Sequence, residues 1–325
     1  MTRFLLRKFA HAAFLLLGVS VLAFFFSALA PGNYFDEMRL NPQISAERLS
    51  ALRAAYGVDQ PLALRYARWA GALLHGDLGF SFAYNTPVAP LLWTRARNTL
   101  LLTGTATILV WMLALSLGVW SAEKLGRPPD VALSWATAVL LILPDLALAL
   151  GLLVLAVRTG WLPTGGMVSV GFDGLSAGPK LRDVVWHMVL PVTVLVASAL
   201  PVLLRHVRSA VAEALEAPFL RAAEGQGISR GRLLYRYVLP AAAHPLIALF
   251  GFSLGTLLSA SLLVEAVMGW PGLGPFLLEA ILARDLYVVI GGVLLSTVFL
   301  VSGNFVADVL LYWADPRIRV EASSR

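Results

Sequence analysis

The sequence predicts an all-α integral membrane protein that crosses the bilayer six times and carries a small helical insertion after its first crossing. Three observations lead there. The 325 residues are 58% hydrophobic and only 14% charged, against about 25% charged in an ordinary soluble domain, and the mean hydropathy is +0.78. Six windows are long and apolar enough to cross a hydrocarbon core about 30 Å thick, which takes roughly 20 helical residues at 1.5 Å each. Basic residues collect at the chain ends and in alternate gaps between those windows, the pattern of cytoplasmic loops.

Taken in order, the windows are Phe9–Leu29, Thr99–Trp120, Val131–Val157, Val184–Leu204, His244–Val264 and Val288–Trp313. Ala28-Leu29-Ala30 resembles a signal-peptidase site, but the apolar run before it exceeds the roughly 7–15 residues of a signal core. It is read as a retained first helix, with residues 1–30 forming the N-terminus and first span. Residues 31–98 form an outer insertion. "SAERLSALRAAYGV" reads as an amphipathic helix that Ser45 caps, and "QPLALRYARWAGALLHGDLGFSF" as a second helix ending near Gly76. Residues 99–313 make the membrane core, and 314–325 a tail. Arg3, Arg7 and Lys8 precede the first span, while Arg317, Arg319 and Arg325 follow the last. Lys124, Arg127, Arg205 and Arg208 lie on the same side, so both termini are expected in the cytoplasm.

The third window contains Pro144-Asp145. A proline inside a span leaves a carbonyl unpaired and kinks the helix. A charge at that depth is a functional candidate by default. Asp145 either faces an aqueous path and attracts a cationic group, or ties to a neighbouring helix. Glu265 and Trp270, at the Gly/Pro cluster "MGWPGLGPF" between the fifth and sixth spans, are further candidates for a path; capping or loop anchoring is the plainer reading of Glu265. Asn304 and Asp308 share a helix face, and a structural tie is the plainer reading of Asp308.

Several function classes drop out. With no cysteine, disulfides, thiolate catalysis and Cys-ligated metals are excluded. The five histidines form no metal-binding pattern, no phosphate-binding GxxxxGK[ST] loop occurs, and GxSxG is absent. The net charge of +6 follows from arginines flanking spans and does not call for nucleic acid.

The gap between the fourth and fifth spans is the informative one. In 211–243, "VAEALEAPFLRAAEGQ" reads as a helix running through Pro218, and Gly227 suits a left-handed C′ position. Ser229 is placed to cap a short helix from Arg230, which Pro240 ends or bends before the fifth span. Ala222 and Ala223 together read as a flat small-residue patch. The spacing Ala222-Ala223, three residues, Gly227, nine residues, Tyr237, one residue, Leu239-Pro240 resembles the EAA loop, E-A-A-x3-G-x9-I-x-L-P, of binding-protein-dependent ABC importer permeases. Arg221 stands for the Glu and Tyr237 for the Ile. "GVDQPLALRYARWAGALLHGDLGFSF", "GWLPTGG", "VEAVMGWPGLGPFLLEAILARDLYVVIGGVLL" and "DVLLYWADPRIR" narrow the resemblance to the dipeptide/oligopeptide/nickel type. One departure is Asp145-Leu146, where the family usually has Ser-Phe.

The resemblance implies a type I importer permease fold and a chain without its own ATPase. It implies a second, homologous permease subunit, most simply a different chain, two cytoplasmic ATPases that bind ATP and Mg, and an extracytoplasmic binding protein. Ala222, Ala223, Gly227, Ser229, Leu239 and Pro240 would couple to the ATPase. The expected location is a bacterial or archaeal inner membrane. Di- or oligopeptides are the expected cargo, with nickel, glutathione or another small solute as alternatives. A secondary transporter or channel using Asp145, and an intramembrane enzyme, are readings of other classes. The lack of inverted repeats and of a catalytic cluster speaks against them.

Overall fold

A computed structural model describes residues 2–29 and 60–314, together with Glu47 and Ser50. The first expected outer helix, over "SAERLSALRAAYGV", and the tail beyond 314 lie outside the described residues. Within them the chain runs α1 (Thr2–Leu29), α2 (Leu62–Leu73), a hairpin of β1 (Phe80–Ser81) and β2 (Thr86–Pro87), then α3 (Val88–Glu123), α4 (Pro128–Ile142) and α5 (Asp145–Thr159). There follow α6 (Ala177–Glu216), α7 (Pro218–Gly225), α8 (Arg230–Leu233), a π turn (Leu234–Val238), α9 (Leu239–Val267), α10 (Leu273–Leu282) and α11 (Leu286–Ala314).

Among the described residues five helices are long and apolar enough to cross a membrane, or six passages if the pair α4–α5 counts as one. That pair bends by 97°, far more than an ordinary proline kink. Leu143 and Pro144 are both extended, and Pro144 caps α5. The residue before a proline is pushed out of the helical region, so the break falls where two consecutive residues leave it together. The observed helices also outrun the predicted windows. α3 begins directly after the hairpin and α6 begins at Ala177, because apolarity sets the length in the bilayer but not where helix starts.

The described chain divides into two compact units. One contains Leu100–Trp270 and the chain from Leu300 onward. Its core is built on Leu102, Ala106 and Val110 of α3, Val194, Leu195 and Val207 of α6, and Leu257 and Val264 of α9. Small residues allow close helix approach here. A Cβ at Gly118 would stand 2.7 Å from a Val207 methyl, and one at Gly251 would stand 2.6 Å from the Ala307 Cβ.

The other unit contains the described part of Leu6–Thr99 and Pro271–Phe299. In it Phe24 of α1, Trp69 of α2, and Ile290 and Leu294 of α11 are buried together. The Ser20 and Tyr66 hydroxyls share a hydrogen bond of 2.8 Å. The hairpin, which sequence reasoning did not foresee, is fastened by Asp285. This carboxylate is fully buried and accepts from Ser81 Oγ (2.6 Å) and from the Ala83 N–H (3.1 Å). Next to it the Tyr84 hydroxyl donates to Glu279 (2.5 Å). Partial burial first, and the Glu279 hydrogen bond and charge second, push the Tyr84 phenol up to about 12. α10 was also unforeseen. The Gly/Pro cluster "MGWPGLGPF" gives way within itself to helix: Gly272 stands at the N-cap and Leu273–Leu282 form a ten-residue helix.

Candidate functional site

Two regions of the Leu100–Trp270 unit carry the residues singled out from sequence. The first is the segment between α6 and α9. The predicted continuous helix from Val211 to Gln226 is broken at Ala217, which is extended, and Pro218 opens α7 at its first turn. This is again the pre-proline restriction, with proline placed where its missing N–H is harmless. α7 is amphipathic: Leu220 and Ala223 are buried, whereas Phe219, Arg221, Ala222 and Glu224 are exposed. The expected two-alanine patch is thereby corrected. Adjacent residues on a helix point about 100° apart, so Ala222 faces outward while Ala223 helps to hold α7 on the core.

Gly227 has φ of +75° with nothing within 4 Å of a Cβ placed there. The left-handed conformation is therefore the whole requirement for glycine. Ser229 occupies the N-cap of α8 without a side-chain capping bond; the Leu233 N–H instead reaches the Ser229 carbonyl (2.9 Å).

Pro240 does not end the helix. Arg230–Val267 forms one continuous apolar helical run, because the π turn Leu234–Val238 accommodates it, with the Leu239 N–H donating to the Leu234 carbonyl. Widening one turn relieves the crowding that a proline ring imposes on the preceding turn. Leu239 is half-buried and Pro240 exposed, while Leu233 and Val238 anchor the segment in the core. Arg230 Nε donates to Glu123 Oε1 (3.0 Å), tying α8 to the end of α3. A stronger tie lies nearby. Asp130, 1% exposed, accepts from Arg208 Nε and Nη2 (2.6 and 2.7 Å), Ser121 Oγ (2.5 Å) and the Gly126 N–H (2.8 Å).

The second region is built around Asp145. The helix break leaves it half-buried in the first turn of α5, on the wall of two cavities. One, of about 200 Å³, is lined by Leu195, Ser198 and Val202 of α6 and by Phe252, Ser253 and Thr256 of α9, among others. The other, of about 580 Å³, is lined by Phe252, Gly255, Thr256, Ser259 and Leu263 of α9 with Leu300 and Asn304 of α11. Phe252, Thr256, Ser259 and Leu263 recur at helical spacing and form an exposed stripe on α9. The two hydroxyl residues in that stripe were legible in "FSLGTLLSASLL", and sequence reasoning passed over them in favour of charges.

Glu265 and Trp270 take a different place. Both are 0% exposed, and neither lines these cavities. α9 ends at Val267, Gly269 turns with φ of +62°, and the Trp270 N–H donates to the Glu265 carbonyl (2.9 Å). The indole is thereby folded back into the unit's own core. His187 donates from Nδ1 to the Asp183 carbonyl (2.8 Å). Among the described residues no three His, Asp or Glu side chains gather as metal ligands.

Comparison with known proteins adds the following. Residues 114–320 match the family described as binding-protein-dependent transport system inner membrane component, and residues 1–103 match its N-terminal region. The oligopeptide transport system permease protein AppB of Bacillus subtilis is 32% identical over 98% of this chain and 99% of its own length. The dipeptide permease DppB of Escherichia coli K12 is 32% identical over the same shares. The glutathione permease GsiC of Salmonella paratyphi A is also 32% identical, over 98% of this chain and 99% of its own length. Among solved structures, a chain of the MetNI methionine ABC transporter in an inward-facing conformation aligns with a TM-score of 0.54 and 20% identity, over 69% of this chain and 96% of that one. That likeness extends to the fold.

Proposed function

The chain belongs to the binding-protein-dependent transport system inner membrane components and is a multi-pass permease subunit of an ABC importer; from that premise we propose that it imports di- or oligopeptides. The observation that carries the cargo is the near-full-length similarity to oligopeptide and dipeptide permeases. Glutathione, itself a small peptide, is the neighbouring reading, favoured by an equally similar relative.

On this reading the chain forms half of the translocation path and a second, homologous permease forms the rest. Two cytoplasmic ATPases bind ATP and Mg and supply the energy, and an extracytoplasmic binding protein delivers the cargo. Both termini and the 211–243 segment face the cytoplasm, and the insertion 31–98 faces outward. Ala222 and the turn Gly227–Ser229 form the contact with the ATPase. Ala223 seats that helix, and Leu239 and Pro240 join it to α9. The exposed outer face of α7, the left-handed Gly227 and the unbroken run into α9 support this reading. A push on the turn would reach a membrane helix without an intervening hinge loop. Asp145 and its cavities belong to the path.

The test is purification of the tagged chain from native membranes in mild detergent with mass spectrometry, followed by reconstituted uptake of labelled dipeptides. Co-purification of a second permease, Walker-motif ATPases and a binding protein, with ATP-dependent uptake, is the expected result. A chain recovered alone, in detergents that preserve other importers, would overturn the coupling; a complete complex that imports no peptide would overturn the cargo.

A further inference from the structure

Three observations converge on the α5–α9 cavities. Among the residues lining them, Asp145 is the one ionisable group. The same linings include Ser198 and Thr256 in the smaller cavity and Thr256, Ser259 and Asn304 in the larger. The Thr256 and Ser259 stripe is exposed along a helix that is otherwise long and apolar enough to lie in a bilayer. Thr256 Oγ1 donates to the Ser253 carbonyl of its own helix (3.0 Å), so the weight falls on Asp145, since a carboxylate is expensive in hydrocarbon. The pattern fits a surface wetted by water.

We propose that Asp145, displayed by the 97° break between α4 and α5, is the electrostatic selector of these cavities, favouring passing groups that carry an ammonium or guanidinium. The proposal rests on the reading of the cavities as part of the path and adds a specificity-determining residue to it. The chemistry is that of one carboxylate facing small hydroxyl and amide groups. It attracts a cation, repels a carboxylate, and offers too few ligands to hold a bare metal ion. Phe252 and Leu263 on the same wall accommodate an apolar side chain beside the cation. Asp145 is thus suited to meet the free amine or the basic side chain of a peptide. One unit charge in a partly solvated cleft changes the local cation concentration about five- to tenfold, and acts oppositely on anions.

This chain contains no native cysteine, so in the assembled transporter a thiol introduced into it can be followed on this chain alone, resolved from its partner subunits by mass. Ser259→Cys introduces a single thiol on the cavity wall, and its labelling rate is measured with a cationic and an anionic methanethiosulfonate of similar size. The expected result is that the cationic reagent reacts at least fivefold faster relative to the anionic one than it does with a free thiol. Asp145→Asn should collapse that ratio toward the free-thiol value, and Asp145→Glu should restore it. An unbiased ratio, or one that Asp145→Asn leaves in place, overturns the selector. No labelling by either reagent in any nucleotide state overturns the wet path itself, and the selector with it.

Uptake supplies the second arm. For lysine-containing and N-acetylated neutral peptides that the binding protein holds equally well, Asp145→Asn should slow the former about five- to tenfold more than the latter. Equal slowing of both would mark Asp145 as merely structural.

Discussion

Replacing Arg208 by methionine should destabilise the protein far more than removing one exposed ion pair would. Asp130 is 1% exposed, and two of its four hydrogen bonds come from Arg208, at 2.6 and 2.7 Å. Methionine keeps an unbranched stem but removes the positive charge and both donors. The carboxylate then retains Ser121 and the Gly126 N–H, two neutral donors facing a charge out of contact with water. Breaking a buried pair in this way costs about 3–5 kcal/mol, because the remaining charge is uncompensated. An exposed pair such as Arg230–Glu123, whose arginine side chain is 77% exposed, contributes about 0–1 kcal/mol. At roughly 2 °C per kcal/mol for a chain of this size, Arg208→Met should lower the melting temperature of the purified protein on the order of 6–10 °C. Arg230→Met should lower it by no more than about 2 °C. The decisive comparison is the double variant Asp130→Asn/Arg208→Met. Once the buried charge is gone, most of the loss should return, giving a coupling energy of at least about 1 kcal/mol. Intrinsic fluorescence on heating in detergent reads the melts of wild type, Arg208→Met, Arg230→Met, Asp130→Asn and the double variant. A loss under 2 °C for Arg208→Met, or strictly additive single losses, would refute the view of Asp130 as a buried, charge-compensated anchor.

Gly227→Val places a β-branched residue at φ of +75°, which costs about 1–2 kcal/mol locally and shifts the turn. The protein should still reach the membrane while uptake and binding-protein-stimulated ATP hydrolysis fall at least tenfold. Gly227→Asn, compatible with that conformation, should retain function, and normal uptake by the valine variant would count against docking through this turn. Gly251→Leu drives a side chain into Ala307, whose Cβ cannot move aside, and should destabilise by about 1–3 kcal/mol. Gly255→Ala, which meets only the flexible end of Leu300, should be much milder; equal melting temperatures for the two would contradict the packing described. Tyr84, with its phenol raised to about 12, should be only about one-tenth ionised at pH 11, where an ordinary tyrosine near 10 is about nine-tenths ionised. The tyrosinate absorbance difference between wild type and Tyr84→Phe at pH 11 should therefore be small. Because the folded value is the higher one, the contribution of Tyr84 to stability is complete below about pH 10 and is lost as pH rises through about 12.

Some of this molecule was determined by local sequence. The apolar runs are membrane helices because an unbroken apolar stretch of that length satisfies its own backbone hydrogen bonds in a bilayer as a helix, so run length alone announces them. The Gly227 turn is equally local, since a positive φ next to polar, helix-ending residues points to glycine wherever the rest of the chain goes. The break before Asp145 was announced by its proline. Its 97° angle was not, because packing of α4 and α5 against α6, rather than the proline ring, decides where the second half is directed.

The contacts that give each site its character join residues far apart in the chain. Asp130 meets Arg208 across 78 positions, and Ser81 meets Asp285 across 204. No periodicity within a helix encodes such a partner, so neither the Asp130 anchor nor the hairpin is legible in the sequence. Glu265 and Asp145 were alike on paper, as acidic residues at the edge or middle of an apolar run. Tertiary structure separated them, folding Trp270 back with Glu265 into the core and leaving Asp145 on a cavity wall. Local sequence decides which segments must be helix and where they turn; only the packed structure decides which charge is enclosed and which lines a cavity, because burial belongs to surfaces contributed by several helices at once.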